Sequence, residues 1–363
     1  MHKTNIRFNK QDRPEFIREL RARVDAYFKE NKLSRHSNFS MVAKTAFMLG
    51  IYFIPLALML TGVVSSFWMV TAMWCIMGFG MAGIGLSIMH DANHGAYSRH
   101  PIVNRIMSFL INFVGGYHVT WRIQHNVLHH SYTNIHGHDE DIDLAILRFS
   151  PEKEHKKFFR FQAFYAPFLY GTMTFYWFTG KDFEQLWRYH KEDLLKTQGL
   201  SITKAMIHLA FHKLWYVTLF LILPLLLIDL PWWQTLIGFS CMHVICSLII
   251  SFIFQTAHVI EETDFYGKPE DGSIENNWAI HQLYTTANFA NGSRWFTWLI
   301  GGLNYQIEHH LFPNICHVHY AKIAKIVKQT AKEFNLPYHQ HRTFFDAIRS
   351  HFVLLHALGV GRM

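Results

Sequence analysis

The chain has 363 residues, of which half are hydrophobic and only 17% are charged. Because soluble proteins carry about a quarter charged residues, this composition argues against an ordinary soluble domain. The formal charge of +8 is compatible with nucleic acid, anionic lipid or acidic substrates as partners. The long apolar runs of the chain favour lipid and exclude nucleic acid.

Four apolar runs are candidates to span a bilayer, which takes about 20 residues of helix. They lie near 45–62, 67–89, 214–228 and 234–257. The third run is short for a span. We therefore expect its helix to begin a turn or two earlier, with Lys213 snorkelling to the membrane interface.

The distribution of Lys and Arg predicts the orientation of these helices. Residues 1–44 contain eleven of these cations, the linkers 63–66 and 229–233 contain none, and the segments 90–213 and 258–363 hold the rest. Since Lys and Arg favour the cytoplasmic side, both termini and both large polar segments should be cytoplasmic. The predicted fold is an all-α integral membrane protein with four transmembrane helices in two hairpins.

The domain organisation is a consequence of this topology. We predict a cytoplasmic N-terminal segment, 1–44, and one membrane domain, 45–363, whose cytoplasmic helical cap comprises 90–213 and 258–363. A multi-pass protein of this kind belongs in a bacterial inner membrane, or in the endoplasmic reticulum membrane of a eukaryote.

Two further apolar stretches do not fit as spans. The stretch 106–121 contains Gly115-Gly116, and the stretch 161–178 is broken by Pro167. If either crossed the bilayer alone, it would put the polar clusters on opposite sides. We therefore predict that both are interfacial or re-entrant helices.

Histidines cluster where the predicted spans end. The first cluster is His90-Asp91-Ala92-Asn93-His94, after the second span. On a continuing helix, residues i and i+4 share a face, so two imidazoles so placed can bind one metal. The second cluster repeats this pair at His125 and His129. His130 lies about 100° further round the helix, so one helix can address two neighbouring metals.

The third cluster is Gln306-Ile307-Glu308-His309-His310, which places Gln306, His309 and His310 on one helix face. His258 comes after the last span at the point that matches His90 in the first hairpin. A single such pair on a helix is usually structural or on the surface. Three clusters on one membrane face instead predict a shared metal site.

The number of ligands indicates which metal is bound. Structural zinc takes four protein ligands and catalytic zinc takes three, so eight histidines exceed what one zinc needs. Imidazole binds iron, copper, nickel and zinc alike, so the ligand type does not decide. Two redox-active irons suit a site that faces lipid, where oxygen and a hydrocarbon substrate both dissolve.

The motifs HDANH, HNVLHH and QIEHH, spread over four spans, resemble the three histidine boxes of the membrane fatty acid desaturases. The third box begins with Gln306 rather than His, which resembles the front-end (Δ5/Δ6, linoleoyl-CoA desaturase-like) branch. The resemblance covers roughly residues 47–319. It implies a di-iron centre whose ligands are His90, His94, His125, His129, His130, His309 and His310, with His258 as a further ligand. Gln306 would stand in place of a family histidine and bind iron directly or through a water.

The resemblance also implies an O2-dependent enzyme that introduces a cis double bond into a fatty acyl chain attached to CoA or to lipid. Many front-end enzymes carry a fused cytochrome b5 domain with an HPGG motif, and this sequence has no HPGG. Electrons should therefore arrive from a separate protein, either cytochrome b5 or a ferredoxin, with its reductase.

Other functions are compatible with the same histidines. A di-iron membrane hydroxylase on the same scaffold would carry all of them. From another class, a zinc-dependent membrane hydrolase or receptor, or a metal transporter, could also use them. A transporter should carry polar residues through its spans, whereas these spans have almost none.

Weaker signals have two interpretations each. The carboxylates of Asp139, Glu140, Asp141 and Asp143 could orient ligand histidines, although a solvated loop is the expectation for each taken alone. The glycines between Gly78 and Gly83 match a dinucleotide-binding pattern, but no βαβ unit surrounds them, so close helix packing is predicted instead.

Two other histidines are set apart from the predicted site. His243 lies too far along the fourth span to reach it and should be hydrogen-bonded within the helix bundle. His281 is a conceivable ligand without support from spacing.

Overall fold

The computed structural model describes residues 6–268 and 272–363. Four of the helices in this part of the chain are long and apolar enough to cross a membrane, so the predicted all-α membrane fold is confirmed. We call them the first span (Phe39–Leu60), the second span (Phe67–Asn93), the third span (Ile202–Leu227) and the fourth span (Trp232–His258).

Two spans begin earlier than the apolar runs suggest, because a polar side chain caps each one. The Asn38 side chain accepts a hydrogen bond from the Met41 amide (3.1 Å), which starts the first span at Phe39. The Ser201 side chain caps the third span in the same way, so this helix starts at Ile202. The third span therefore includes Lys213 within its length.

Contrary to the prediction, Lys213 does not snorkel to the membrane interface. Its side chain is buried, and its ammonium group donates to Asp182 (2.5 Å) and to the carbonyls of Gly115 (2.7 Å) and Trp177 (2.9 Å). Asp182 is also buried and accepts a further bond from Thr120 (2.5 Å). This ion pair joins the third span to the helices that carry the second histidine cluster.

Glycines let the spans pack closely, as the small-residue pattern predicts. A Cβ atom on Gly78 would meet the Met242 carbonyl oxygen of the fourth span at 2.8 Å. A Cβ atom on Gly83 would collide with the Met48 sulfur of the first span. The second span consequently lies between the first and the fourth.

The helices outside the four spans form what we call the cap. Its α-helical and π-helical segments are Pro14–Glu30, Pro101–Phe109, His118–Arg122, Ile123–His129, His130–Tyr132, Gln162–Gly171, Met173–Tyr176, Trp177–Lys181, Asp182–Lys191, Trp278–Thr285, Arg294–Leu299, Gln306–Leu311, Tyr320–Glu333 and Phe344–Gly359. Short 3-10 turns occur at Leu110–Val114, Lys157–Phe161, Leu194–Gln198 and His317–His319. Of the two apolar stretches set apart from the spans, the first lies in the shorter apolar helix Pro101–Val114 and in His118–Arg122, and the second is divided between Gln162–Gly171 and the helix that begins at Met173. Neither is among the four candidate spans.

Two small parallel strand pairs tie distant parts of the cap together. Arg7–Phe8 pairs with Ser273–Ile274, and Ala287–Phe289 pairs with His339–His341. The N-terminal helix Pro14–Glu30 buries one apolar face, and it packs against Tyr320–Glu333.

His243 is hydrogen-bonded within the bundle, as predicted. Its Nδ1 lies 2.8 Å from the Thr174 hydroxyl, and its Nε2 lies 3.0 Å from the Tyr216 hydroxyl. Thr174 also contacts the Ser247 hydroxyl (2.7 Å). The fourth span is thereby fixed to the third span and to the helix Met173–Tyr176.

The buried Lys213–Asp182 pair leads to a prediction about stability. Replacing Asp182 with Asn should lower the free energy of unfolding by about 3 kcal/mol, because it leaves a buried ammonium group without a counter-charge. Thermal or denaturant unfolding of the detergent-solubilised protein measures this loss. The control is Asp193→Asn, which breaks the exposed pair with Lys196 and should cost about 1 kcal/mol or less. Equal losses in the two variants would contradict the assigned role of the buried pair.

Candidate metal centre

Two π-helical turns position the first and second histidine clusters. One turn, Ile84–Met89, lies immediately before His90, and the other, Ile123–His129, contains His125 and His129. A π turn closes i→i+5 hydrogen bonds and is often found at functional sites. His125 and His130 are consequently brought together, with their Nε2 atoms 3.2 Å apart.

The first group of histidines comprises His90, His94, His125 and His309. One nitrogen of each lies within 4.8 Å of the corresponding nitrogen of every other member. The Nε2 atoms of His90 and His125 are 3.0 Å apart. All four side chains are buried except His94, which is partly exposed.

The second group comprises His129, His258 and His310, which are likewise within 4.8 Å of one another and buried. His130 lies between the two groups, because it clusters with both His309 and His310. His125 lies in the first group and His129 in the second, because the π turn that contains them changes the directions of their side chains. His125 and His129 also lie within 4.8 Å of one another in a further group with Asp141, so binding of one metal by this helical pair stays a prediction.

All eight predicted histidines converge, and most of them have a buried ring nitrogen without a partner. Among the described residues, no hydrogen-bond partner exists for Nε2 of His94, His129, His258, His309 and His310, or for Nδ1 of His90 and His130. Buried polar atoms are rarely left unpaired, because each costs about 1–3 kcal/mol. Neutral imidazole nitrogens are metal ligands. The donor set therefore fits metal ions, and its two groups fit two of them.

Hydrogen bonds hold several of these rings through the nitrogen that faces away from the cluster. Asp139 accepts from His129 Nδ1 (3.1 Å), and Gln282 accepts from His310 Nδ1 (2.8 Å). Contacts of the same kind join His258 Nδ1 to the Thr285 carbonyl (3.1 Å) and His309 Nδ1 to the Tyr320 hydroxyl (3.2 Å). Such partners fix the tautomer and the ring orientation of a metal ligand.

The acidic loop after the second cluster is not simply solvated. Asp139 is fully buried, and Asp141 lies 3.3 Å from His129 Nδ1. Asp139 also accepts from the amides of Asn134 and Asp141, both at 3.0 Å. Burial opposes the charged form of Asp139, but His129 and these amides together lower its pKa. Asp143 instead pairs with His136 (2.7 Å), outside the groups.

Gln306 is buried beside His258, whose side chain it contacts. Its Nε2 has no hydrogen-bond partner within the described part of the chain. Glu308 points elsewhere and accepts from Asn288 (2.8 Å) and from Tyr338 (3.0 Å). Burial raises the pKa of Glu308 to about 7, against the effect of these two donors.

His281 does not join either group. Its Nε2 lies 2.8 Å from the Thr133 carbonyl, so this ring fixes the end of the second cluster rather than extending it. Two aromatic rings that sequence reasoning missed lie against the groups. Trp121 stands 4.4 Å from His125, and Phe254 stands 5.6 Å from His125 and 5.8 Å from His129, measured between ring centroids.

A hydrogen-bond network that the sequence did not reveal adjoins the first group at Asp91, the residue after His90. Asp91 contacts His317 Nδ1 (2.7 Å) and Cys316 Sγ (3.0 Å), and Lys44 lies 2.7 Å from His317 Nε2. All four side chains are buried. Two sequence features could have indicated this network: Asp91 inside the first cluster, and the histidines that follow the third cluster. No sequence feature pointed to Lys44 of the first span.

Comparison with known proteins identifies the family. The family model described as fatty acid desaturase matches residues 66–342. The chain belongs to the fatty acid desaturase family. The predicted resemblance and the predicted class of oxidoreductase are thereby confirmed.

Relatives of this desaturase carry names of front-end enzymes. It is 40% identical to the sn-1 linoleoyl-lipid 6-desaturase of Synechocystis sp., over 95% of both chains. It is 34% identical to the enzyme of the same name from Arthrospira platensis, over 95% of this chain and 93% of that one. It is also 34% identical to the acyl-lipid (8-3)-desaturase of Physcomitrium patens, over 99% of this chain and 74% of that one.

The bond between His129 and Asp139 leads to a prediction about metal affinity. Replacing Asp139 with Asn should weaken metal binding by about 10–100-fold, because the His129 ring loses the carboxylate that orients it. Competition against a chelator, followed by metal analysis of the protein, measures the change. Asp143→Asn, which alters the same loop outside the groups, is the control and should retain its metal. Equal loss from both variants would refute a specific role for Asp139.

The clustered histidines also predict how acid affects the metal-free desaturase. Burial, reinforced by neighbouring histidines, holds the pKa values of His94, His125, His130, His309 and His310 below the ordinary value of 6.5. Below pH 6.5 the unfolded chain therefore binds protons that the folded chain does not, and stability falls as the pH falls. The unfolding temperature of metal-free protein should drop between pH 7.5 and pH 5.5. An unchanged unfolding temperature over this range would contradict the prediction.

Proposed function

We propose that this desaturase introduces a cis double bond into a lipid-linked acyl chain at carbon 6, counted from the carboxyl end. The observation that carries the proposal is the convergence of eight histidines, seven of them buried, into two adjacent groups with His130 between them. The position of the double bond is supported by the names of the two cyanobacterial relatives. The other front-end relatives make neighbouring positions the natural comparison.

The proposed cofactor is a pair of non-haem irons. His90, His94, His125 and His309 would hold one iron, and His129, His258 and His310 would hold the other, with His130 between them. Gln306 would complete the second site, directly or through a water. When bound, the irons supply the oxidising chemistry with O2 as co-substrate, and two hydrogens leave adjacent methylenes while O2 is reduced to water with two further electrons.

The protein itself orients the ligand histidines and excludes water from the site. Asp139, Gln282 and the Thr285 carbonyl hold ligand rings so that their free nitrogens face inward. Trp121 and Phe254 present apolar ring surface beside the groups, which suits a hydrocarbon chain better than water. Correct placement of the two reacting carbons is a catalytic contribution that the protein itself can make.

The partners and the topology are part of the same proposal. A separate cytochrome b5 or ferredoxin, with its reductase, would supply the electrons. Both termini and the cap would face the cytoplasm, in a bacterial inner membrane or in the endoplasmic reticulum membrane. The absence of Lys and Arg from the linkers 63–66 and 229–233 supports this orientation.

The test is expression in a host that contains linoleoyl lipids but makes no double bond at carbon 6. Mass spectrometry should locate a new double bond at carbon 6, and the purified protein should contain about two irons per chain. His129→Ala should lose both the product and much of the iron, whereas His136→Gln, outside the groups, should keep both. A product with its new bond elsewhere would refute the position, and a single zinc would refute the cofactor.

A further inference from the structure

We propose that Lys44 and His317 are positioning residues, which act through Asp91 to hold the first histidine group in the geometry that binds its metal. This role rests on the proposed function, since it requires that the two histidine groups bind two ions. It gives a task to the first span, which supplies no histidine. Loss of Lys44 should then weaken one metal site and leave the other unchanged.

The four rings of the first group are carried by three separate parts of the chain. His90 and His94 lie at the end of the second span. His125 lies on a π turn of the cap, and His309 lies on the short helix Gln306–Leu311. Because ligands bind an ion only at defined distances and angles, contacts between these parts must fix their separations.

Asp91 joins the first of these parts to the segment that follows the third histidine cluster. Its Oδ2 atom accepts from His317 Nδ1 (2.7 Å), from Cys316 Sγ (3.0 Å) and from the His317 backbone amide (3.3 Å). Asp91 belongs to the short helix His90–Asn93. The three bonds therefore fix the direction of this helix and of the histidine ring that it carries.

Lys44 extends these bonds into a buried chain that begins in the first span. Its ammonium group lies 2.7 Å from His317 Nε2, and its side chain is only 1% exposed. An ammonium group only donates, so it donates to Nε2, and the ring proton of neutral His317 lies on Nδ1, facing Asp91. The first span thereby sets the tautomer of the imidazole that holds the carboxylate.

The charges at the two ends of this chain depend on each other. Lys44 and Asp91 are both buried, and a buried charge is costly unless an opposite charge or hydrogen bonds compensate it. His317 lies between them and transmits the interaction through its two ring nitrogens. Without Lys44, the carboxylate loses its nearby cation, and its hold on the helix of the first cluster is weakened.

The chain before Lys44 makes the same connection with backbone hydrogen bonds. The Cys316 amide donates to the Arg35 carbonyl (2.8 Å), and the Ser37 amide donates to the Tyr97 carbonyl (3.0 Å). Tyr97 follows the first cluster, and Cys316 follows the third. The segment that leads into the first span therefore touches both parts of the chain that the carboxylate joins.

The second group is supported by other residues. Asp139, Gln282 and the Thr285 carbonyl hold its three rings. The effect of Lys44 should therefore be confined to the first group. A lysine that only stabilised the fold would instead weaken both groups together when it was removed.

The test measures the affinity of each site for Co²⁺, by competition between chelators and the detergent-solubilised full chain. Co²⁺ binds nitrogen and oxygen ligands somewhat more tightly than Fe²⁺ and makes the measurement independent of turnover. The unaltered protein should bind two ions, one in each group. Lys44→Met should weaken binding of one ion about tenfold and leave binding of the other unchanged.

Ligand variants identify which ion is affected. His94→Ala removes a ligand from the first group, and His258→Ala removes one from the second. Combined with His258→Ala, Lys44→Met should weaken the intact first site about tenfold. Combined with His94→Ala, it should leave the intact second site unchanged.

A second pair of variants tests the same role if Lys44→Met folds poorly. His317→Asn retains an amide donor near the position of Nδ1, whereas His317→Leu retains volume but no donor. The first site should bind Co²⁺ about tenfold more weakly in His317→Leu and should lose less affinity in His317→Asn. A role in packing alone predicts the reverse order, because Leu fills more of the space.

The matched control is Lys213→Met, which removes another buried lysine bonded to a buried carboxylate. It should lower the unfolding temperature without weakening the first site more than the second. Equal weakening of both sites by Lys44→Met, weakening of neither, or the same selective loss in Lys213→Met would overturn the proposal. Failure of the proposed function would appear separately, as no desaturation by an unaltered protein that still binds two Co²⁺ ions.

Discussion

The structure depends on the clustering of eight imidazoles, seven of them buried, in one small volume at the ends of the second and fourth spans. Within the described residues, seven of these rings have a buried nitrogen without a hydrogen-bond partner. Such an arrangement is unfavourable on its own, since burial and mutual repulsion both oppose it. Metal ions remove the conflict, so binding of metal and stability of the fold should be linked.

Irregular turns in two helices position the histidines of this cluster. The second span changes to a π turn just before His90, and the helix of the second cluster changes to a π turn through His125 and His129. Each extra residue in a turn rotates the later residues of the helix about its axis, so neighbouring histidines face different groups. The buried pair of Lys213 and Asp182 then fixes the third span, which contributes no ligand, to the same assembly.

Much of this could be predicted from the sequence, and the exceptions have physical causes. Spacing and position identified the histidines that converge, because apolar runs reveal where spans end. His125 lies with the first group and His129 with the second, besides lying together with Asp141. Spacing alone could not predict this arrangement, because it assumes a regular α-helix. The role of Asp139 was underestimated because its burial depends on the fold around the loop. Lys213 was misjudged for the same reason, since its partner Asp182 lies on a different helix.

The adjacent residues His309 and His310 have a consequence for assembly. One belongs to the first group and the other to the second, so both groups take a ligand from the same short helix, Gln306–Leu311. Their other ligands come from His90 to His130 and from the end of the fourth span. During synthesis from the N-terminus, neither group is complete until all four spans and this late helix have formed. A chain cut short before His309 loses a ligand from both groups at once, so C-terminal truncation at that point leaves neither group intact.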